Sequence, residues 1–276
     1  MKIILKEIEL CFPSLSFSEM NILHLSDLHL AGENSRIEEA FKRELQNKEY
    51  DFIFLTGDLI DADTGIDPLI YYLSYLNSRY GTFCVWGNHD KFNLKLHHAF
   101  TFNHKTRLTE LPMRDIETLR ERLSSQNINV LVDELERIDI GQDQISIIGV
   151  DDWLGADRLQ NWQHHAVRIH KLKKMINEIP EDNFIIFLTH MPDVIELFTE
   201  CRINMVFSGH THGGQICLPF IGPIFTWSKF QRKYHRGLHQ YNGSYMHISP
   251  GLGTSCMPLR FMCPPEITQI KIRANG

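Results

Sequence analysis

Side chains that can bind metal ions follow five short apolar runs of this sequence. In chain order they are Asp27, His29, Asp58, Asn88, His190, His210 and His212. Mixed ligation by carboxylate, amide and imidazole groups suits Mn²⁺, Fe or Zn²⁺ better than Ca²⁺ or Mg²⁺. The two oxygens of a carboxylate such as Asp58 can bridge two ions about 3.5–4 Å apart. A pair of such ions makes hydrolytic attack on a phosphate ester feasible near neutral pH, and this is the chemistry that the residue types predict.

The apolar runs predict strands that bring these side chains together. The runs cover residues 22–26, 54–56, 83–86, 184–188 and 203–208. Short apolar runs bounded by turn residues are typical of buried strands in a parallel or mixed sheet. Open α/β sheets hold their ligands outside the carboxyl ends of the strands. We therefore expect the metal-binding side chains to converge on Asp58.

Strand and helix patterns alternate in the first part of the chain. Strands are predicted over 2–10, 21–26, 51–56 and 82–86, and helices over 33–46 and from 67 to about 78. Asn34 or Ser35 is the predicted N-cap of the first helix. This alternation implies right-handed crossovers and a sheet that is covered on both faces.

The rest of the chain predicts a continuation of this sheet followed by a second sheet. Helices are predicted over 111–123, 162–176 and 192–198, and strands over 130–131, 135–140, 144–150, 184–188, 203–207, 215–218, 245–248 and 267–272. We interpret 130–150 as a meander, residues near 93–113 as a surface insertion, and the C-terminal third as a second, mixed sheet. The predicted fold is a single α/β domain over 1–276, with two facing mixed sheets flanked by helices.

Composition limits the classes of function. With 276 residues, 43% hydrophobic and 22% charged, the chain has the composition of a soluble globular protein. Its net charge of −6 argues against general nucleic-acid binding. The six cysteines contain no C-x-x-C pair, so a zinc ribbon is a poor fit. No apolar run reaches the length of a membrane span, and Lys6, Glu7 and Glu9 interrupt any signal-peptide core, so a cytoplasmic location is expected.

Five motifs in order resemble the signature of calcineurin-like metallophosphoesterases. They are Asp27-Leu28-His29, Gly57-Asp58-Leu59-Ile60-Asp61, Gly87-Asn88-His89-Asp90, His190 and Gly209-His210-Thr211-His212. The resemblance spans residues 21–214 and, more weakly, the tail. It implies a four-layer αββα sandwich and two divalent ions per chain, with Mn²⁺ as the expected metal and Fe or Zn²⁺ as alternatives.

The resemblance also implies a role for each matching residue. One ion would be held by Asp27, His29 and His212, the other by Asn88, His190 and His210, and Asp58 would bridge them. His89 would stabilise the transition state or protonate the leaving oxygen. Asp90 would orient His89 through a hydrogen bond, and Asp61 would bond a ligand or a backbone amide.

The tail resembles a bacterial branch of membrane-associated phosphodiesterases. The segments that carry this resemblance lie within 212–238 and 251–266. The branch includes UDP-2,3-diacylglucosamine pyrophosphatases of lipid A synthesis, which implies a phosphodiester or pyrophosphate substrate, lipid-linked in the preferred case. Many relatives begin with a membrane or export segment, which this sequence does not show, so direct anchoring is not expected.

Residues 219–236 form an apolar and basic segment with two interpretations. Either it is a lip that contacts acyl chains and anionic headgroups through residues such as Trp227 and Lys233, or it is a hairpin packed on the second sheet. Arg260 either binds a substrate phosphate or pairs with Glu266.

Other polar residues also have structural alternatives. Asp58 alone could be a helix N-cap, and His190 alone a loop histidine. His24 lies within a strand, where a structural role is expected. Asp151 and Asp152 follow a strand and could flank the site.

Two other functions compete with lipid-linked phosphoester hydrolysis. One is a generic cyclic-nucleotide or nucleic-acid phosphodiesterase, which would need a basic groove with aromatic stacking positions. The other is a non-catalytic scaffold on the same fold. A scaffold would be expected to lack ligands or His89, and the sequence retains them all.

Overall fold

The fold is built from fourteen strands and nine helical segments among the residues that the computed structural model describes, which are 1–12, 15, 19–93, 112–151, 165–226, 228, 230, 232–255 and 258–274. The strands are β1 (Ile4–Cys11), β2 (Glu19–Leu25), β3 (Tyr50–Thr56), β4 (Ser78–Val85), β5 (Ile128–Val130), β6 (Glu134–Ile140), β7 (Asp143–Val150), β8 (Phe184–Thr189), β9 (Met205–Ser208), β10 (Cys217–Leu218), β11 (Gly222–Pro223), β12 (Gly237–Tyr241), β13 (Ser244–Ile248) and β14 (Glu266–Arg273).

The helices are short. The α-helices are α1 (Ser35–Glu44), α2 (Ile66–Leu73), α3 (Asn88–Lys91), α4 (Ile116–Ser124) and α5 (Ala166–Asn177), and 3₁₀ turns cover Asp63–Gly65, Pro192–Phe198, His212–Gly214 and Arg232–Tyr234. The side chain of Asn34 caps α1 by accepting from the amide of Ile37, one of the two caps predicted. None of the helices in the described part of the chain combines the length and the apolar composition that a membrane span requires.

Two six-stranded mixed sheets form the centre of the molecule. The first has the order β1-β14-β2-β3-β4-β5, and the second has the order β12-β13-β9-β8-β7-β6. Strands β2 to β5 are parallel, as are β13, β9, β8 and β7. Only a parallel run brings the carboxyl ends of neighbouring strands to the same edge, so each sheet has one edge suited to a polar site.

Three buried apolar clusters show how the layers pack. The middle cluster joins the inner faces of the two sheets, with Phe54 and Phe83 from the first and Ile186 and Phe207 from the second. A second cluster lies between the first sheet and α1, α2 and α4. A third lies between the second sheet, α5 and the turn at Pro192–Phe198. The prediction of two facing mixed sheets flanked by helices is confirmed.

Four details of the prediction are wrong. The second sheet begins at β6 rather than in the C-terminal third, and β14 returns to the first sheet between β1 and β2. β5 pairs in parallel with β4 instead of joining a meander. Helix α2 ends at Leu73 because β4 already begins at Ser78. The insertion predicted near 93–113 lies largely outside the described residues.

Candidate metal centre

Polar side chains gather where the carboxyl edges of the two sheets meet. The first sheet contributes Asp27, His29, Asp58 and Asn88, which follow β2, β3 and β4. The second contributes His190, His210 and His212, which follow β8 and β9. The edges are joined directly, since the backbone amide of His210 donates to the carboxylate of Asp27 at 3.1 Å. Five strand ends therefore present their side chains to one volume.

The backbone at five of these residues lies in the left-handed region. The φ angles are 51° at Asp27, 48° at His29, 52° at Asp58, 67° at His210 and 50° at His212. Residues other than glycine rarely adopt this conformation, at a cost of about 1–3 kcal/mol each. Backbone strain is thus concentrated where the polar side chains meet, as is common at functional sites.

Two glycines let the ends of β3 and β4 approach each other. A Cβ on Gly87 would collide with the carboxylate of Asp58, and a Cβ on Gly57 would collide with the backbone of Gly87. With both side chains absent, the amide of His89 donates to Oδ1 of Asp58 at 2.8 Å. This approach places the first residues of α3 against Asp58.

One group of ligand atoms comes from Asp27, His29, Asp58 and His212. All four atoms lie within 4.8 Å of one another. Nε2 of His29 is 3.1 Å from Nε2 of His212 and 3.5 Å from Oδ2 of Asp58. Nε2 of His212 is 3.4 Å from Oδ1 of Asp27. Imidazole and carboxylate atoms at such separations can share one ion at about 2.0–2.2 Å from each.

A second group comes from Asp58, His190 and His210. Nε2 of His190 is 3.2 Å from Oδ2 of Asp58 and 3.2 Å from Nδ1 of His210. Asp58 belongs to both groups. Asn88, the residue after Gly87, has a buried side-chain oxygen without a hydrogen-bond partner. Since such an acceptor costs about 1–3 kcal/mol when unsatisfied, a cation in this group would stabilise it.

Hydrogen bonds at the far nitrogens orient two of the imidazoles. Nδ1 of His29 donates to Oδ1 of Asp61 at 2.7 Å, and Nδ1 of His190 donates to the carbonyl oxygen of Thr56 at 2.6 Å. With the proton on Nδ1, the lone pair of Nε2 faces the ligand group. This arrangement is the usual one for a metal-binding histidine.

The charge of the buried carboxylates also fits metal ions. Burial raises the pKa of Asp27 and of Asp58, but His212 beside the first and His190 beside the second bring each net pKa below its usual range. Burial lowers the pKa of His29, yet the carboxylates of Asp61, Asp27 and Asp58 raise it well above its usual value. Within the described structure, only histidines form ion-pair contacts with Asp27 and Asp58. Two buried carboxylates without lysine or arginine favour a bound cation.

His89 is held by Asp61 and not by Asp90. Nδ1 of His89 donates at 2.7 Å to Oδ1 of Asp61, the same oxygen that accepts from His29. Nε2 of His89 lies 3.3 Å from Oγ of Ser255. The prediction that Asp90 orients His89 is therefore wrong, and Asp61 makes that hydrogen bond.

Asp90 instead accepts four backbone amides. The donors are Asp58 at 2.8 Å, Leu59 at 2.7 Å, Ile60 at 3.2 Å and Gly87 at 2.9 Å. Burial and the neighbouring Asp58 carboxylate raise the pKa of Asp90 to about 6, although the amides of Gly87 and Leu59 oppose this shift. Asp90 therefore ties the loop after β3 to α3.

Two further residues beside His89 were missed in the sequence. Arg114 donates from Nε to the carbonyl oxygen of His89 at 3.0 Å, and its Nη2 donates to the carbonyl oxygen of Asp61. Ser255 is held through its backbone by the side chain of Gln215, with bonds of 2.8 and 3.0 Å. Gln215 directly follows the His212-Gly213-Gly214 motif, a signal that could have led to Ser255. Nothing in the sequence distinguishes Arg114 from a surface arginine.

The three predicted substrate-binding residues have different environments. Arg260 is half-buried and donates to the carbonyl oxygens of Gly253 at 2.9 Å and Pro250 at 2.7 Å. None of the ion pairs in the described structure joins Arg260 to Glu266. Lys233 is exposed, with Nζ 4.6 Å from the ring centroid of Tyr234. Trp227 lies outside the described residues.

Asp151 directly follows β7 and is a buried member of an ionic network. Its carboxylate pairs with Lys91 at the end of α3 and lies 3.4 Å from Arg168 of α5. Arg168 also pairs with Asp133. Asp151 thus links α3 to the second sheet, while Asp152 lies outside the described residues.

A second cluster of histidines is buried between the sheets. Nδ1 of His24 is 2.8 Å from Nδ1 of His247, and Nε2 of His24 is 2.9 Å from Oγ1 of Thr56. Burial lowers the pKa of His24 to about 3, and burial followed by the charge of His24 lowers the pKa of His247 well below its usual value. Both imidazoles are neutral and structural in these surroundings.

An apolar platform flanks the metal centre on the side of His212. Eight of the thirteen exposed large hydrophobic side chains in the described structure belong to it: Leu218, Phe220, Ile221, Ile224, Phe225, Leu259, Phe261 and Met262. Its two segments are joined by a bridge between Ile216 and Phe261. The concentration of exposed apolar surface is typical of a binding site.

Comparison with known proteins identifies related sequences. The family model for calcineurin-like phosphoesterases matches residues 20–214. The uncharacterized metallophosphoesterase YkuE of Bacillus subtilis (strain 168) is 29% identical over 269 residues, 94% of this chain and 81% of the relative. Phosphodiesterase YaeI of Escherichia coli (strain K12) is 26% identical over 256 residues, 91% of this chain and 81% of the relative. The solved phosphopantetheinyl hydrolase PptH of Mycobacterium tuberculosis superposes with a TM-score of 0.49 at 11% identity, covering 84% of this chain and 89% of that one.

Proposed function

The chain belongs to the calcineurin-like phosphoesterase family, and on that premise we propose that it hydrolyses a phosphodiester or pyrophosphate bond with two divalent ions. The resemblance to this superfamily is confirmed, and the chain is a metallophosphoesterase. The observation that carries the proposal is Asp58, which belongs to two adjacent ligand groups and accepts a hydrogen bond from the amide of His89. A phosphodiester activity is supported by the similarity to a protein named phosphodiesterase YaeI.

The proposed ligands divide between two ions. Asp27, His29 and His212 would hold one ion, Asn88, His190 and His210 would hold the other, and Asp58 would be shared between them. The separations within each group and the unsatisfied oxygen of Asn88 support this division. We propose Mn²⁺ as the metal, with Fe and Zn²⁺ as alternatives that the same donors accept. Such ions, when bound, supply Lewis acidity to a phosphoryl group.

His89 is the proposed general acid. Its Nδ1 is occupied by Asp61, so Nε2 is the nitrogen that can deliver a proton to the leaving oxygen. The carboxylate of Asp61 accepts the Nδ1 hydrogen bond and fixes the orientation of the ring. Ser255 contacts Nε2 at 3.3 Å and restrains the ring from the other side.

The preferred substrate is UDP-2,3-diacylglucosamine or a related lipid-linked phosphate. Support comes from the apolar platform beside His212, whose fully exposed Phe220 could contact acyl chains. Lys233 and Trp227 are proposed to bind the substrate, as the sequence predicts. Arg260, which donates to the carbonyl oxygens of Pro250 and Gly253, is proposed to bind a phosphate group of the substrate.

We also propose peripheral contact with a membrane through the same surface. Arg232 and Lys233 are exposed, and Arg236 donates to the carbonyl oxygen of Met262 at the border of the platform. Apolar side chains next to cations suit the interface of an anionic bilayer. Sedimentation with phosphatidylglycerol vesicles tests this contact, and failure to sediment with them would contradict it. Equal recovery with neutral vesicles would contradict only the contribution of the basic side chains.

The hydrolytic proposal is tested with bis-p-nitrophenyl phosphate. We expect activity with Mn²⁺, loss of activity after chelation, and recovery when Mn²⁺ is restored. Unchanged hydrolysis by the chelated protein would contradict the metal mechanism.

The lipid part of the proposal has a separate test. Release of UMP from UDP-2,3-diacylglucosamine is measured by mass spectrometry, with the non-acylated sugar nucleotide as a comparison. Phe220→Ser should lower kcat/KM on the acylated substrate by about 10- to 100-fold, because an aromatic contact with the acyl chains worth about 1.5–3 kcal/mol is lost. Val167→Ser, at another exposed apolar residue, is the control. Cleavage of simple phosphodiesters without cleavage of UDP-2,3-diacylglucosamine would contradict the lipid substrate and leave the proposed hydrolysis intact.

A further inference from the structure

Arg114 contacts the two segments that carry Asp61 and His89. Its side chain is only 5% exposed. Nε donates to the carbonyl oxygen of His89 at 3.0 Å, and Nη2 donates to the carbonyl oxygen of Asp61. Nη1 donates to Oδ1 of Asp63 at 3.1 Å. One guanidinium thus joins the main chains of the two residues whose side chains form the imidazole–carboxylate pair.

The backbone of Arg114 is itself fixed to α3. Its amide donates to the carbonyl oxygen of Lys91 at 2.8 Å, and Met113 forms an antiparallel bridge with Phe92. The guanidinium therefore starts from a point anchored beside His89 and reaches across to the loop of Asp61. This geometry sets the separation of the two segments.

We propose that Arg114 is a positioning residue for phosphoester hydrolysis that acts through His89. The inference rests on the proposed role of His89 as the general acid. Arg114 holds the main chains of Asp61 and His89 so that the 2.7 Å bond between their side chains persists while Nε2 faces the leaving oxygen. Arginine suits this task because its planar fork directs donors to several acceptors at once, whereas a lysine can satisfy fewer of them.

Asp90 and Arg114 hold the same two segments in complementary ways. Asp90 accepts the amides of Asp58, Leu59 and Gly87, and Arg114 donates to carbonyl oxygens farther along each segment. When Arg114 is replaced, the contacts of Asp90 remain. We therefore expect such variants to fold, with the Asp61–His89 pair loosened.

The test compares leaving groups, because a general acid contributes more when the leaving alcohol is a weaker acid. The substrates are phosphodiesters that release p-nitrophenol, phenol or an aliphatic alcohol. The variants are Arg114→Ala, Arg114→Lys and His89→Asn. Arg202→Ala is the matched control, since Arg202 also donates to two carbonyl oxygens, those of Asn183 and Pro180, before β8 and away from the metal centre.

Arg114→Ala should lose little in kcat with p-nitrophenol as the leaving group and about 10²-fold with the aliphatic alcohol, the scale expected for a misplaced catalytic group. KM should change little, and added guanidinium should restore part of the rate. Arg114→Lys should show the same trend with a smaller loss. Arg202→Ala should show no dependence on the leaving group.

Several results would overturn the inference. One is an equal loss of kcat for all leaving groups in Arg114→Ala. Another is a wild-type kcat with every leaving group in Arg114→Lys. The lysine variant also serves as the test if the alanine variant does not fold. His89→Asn separates the inference from the proposed function. If His89→Asn shows no leaving-group dependence, the acid role itself fails and the inference fails with it. If His89→Asn shows the dependence and the Arg114 variants do not, only the inference fails.

Discussion

Two buried histidines close together on the first sheet, His24 and His29, have pKa values shifted in opposite directions. His24, within β2, contacts His247 between the sheets, and burial lowers the pKa of His24 to about 3. His29, just after β2, is also buried, but Asp61 and Asp27 raise its pKa well above the usual value. The difference therefore arises from the carboxylates at the strand ends rather than from the depth of burial.

This comparison separates the residues that make chemistry possible from those that only support the fold. Where no carboxylate is within hydrogen-bond distance of a buried imidazole, burial dominates and lowers its pKa, as in the pair of His24 and His247, where the Glu266 carboxylate is 4.0 Å from His247. With carboxylates, the same type of side chain becomes part of a site that attracts cations. Substitutions at the strand ends should therefore abolish activity, whereas substitutions between the sheets should change stability alone.

Removal of the shared carboxylate should have the largest effect. Asp58→Asn removes the negative charge that both ligand groups contain, so we expect phosphodiesterase activity to fall by about 10³-fold or more. The metal content measured by elemental analysis should also fall. Asp143→Asn, at the first residue of β7 and away from the metal centre, is the control. A variant that retains two ions and full activity would contradict the bridging role.

The next largest effect is expected at Asp61. Its Oδ1 accepts from both His29 and His89, so Asp61→Asn should weaken one proposed ligand and the proposed acid together. Residues that orient metal ligands typically contribute about 10–100-fold, and we expect a loss in kcat of this size. Asp67→Asn, at an exposed aspartate paired with Arg122, is the matched control. Equal activity of the two variants would show that Asp61 does not orient His89 for catalysis.

Asp90→Asn should act mainly on stability. The amide side chain cannot accept all four backbone N–H groups with the same strength, and a buried donor left unsatisfied costs about 1–3 kcal/mol. We expect the free energy of unfolding, measured with urea, to fall by this amount. The opposite result would be an unchanged free energy of unfolding together with a loss of rate that depends on the leaving group. That result would show that Asp90, and not Asp61, orients His89.

Much of this organisation could be predicted from the sequence. The apolar runs before Asp27, Asp58 and His190 correspond to β2, β3 and β8, and they indicate strand ends because a buried parallel strand has a continuous apolar pattern. The same patterns do not say which sheet a strand joins. Strand β14 is apolar enough for either sheet, and its position next to β2 depends on long-range pairing.

The hydrogen bonds around His89 could not be predicted from sequence patterns. Asp61 and Asp90 are both carboxylates within the same motifs, and only the left-handed turn at Asp58 and the course of α3 determine which one faces the imidazole. Arg114 comes from a distant segment that pairs with the end of α3. A contact that depends on such pairing leaves no local signal.

The smallest expected effect concerns the histidine pair between the sheets. The pKa of His24 is about 3 in the folded protein and 6.5 in an unfolded chain, so between these values the unfolded state binds more protons and stability falls as the pH decreases. His24→Gln removes this titration while keeping a hydrogen-bonding side chain. Between pH 7.5 and 5.5 the wild type should therefore lose about 1.4 kcal/mol more free energy of unfolding than the variant. Phosphodiesterase activity at pH 7.5 should be equal in the two proteins. Equal pH dependence of unfolding would show that His24 is not held neutral, and reduced activity would connect the pair to the metal centre.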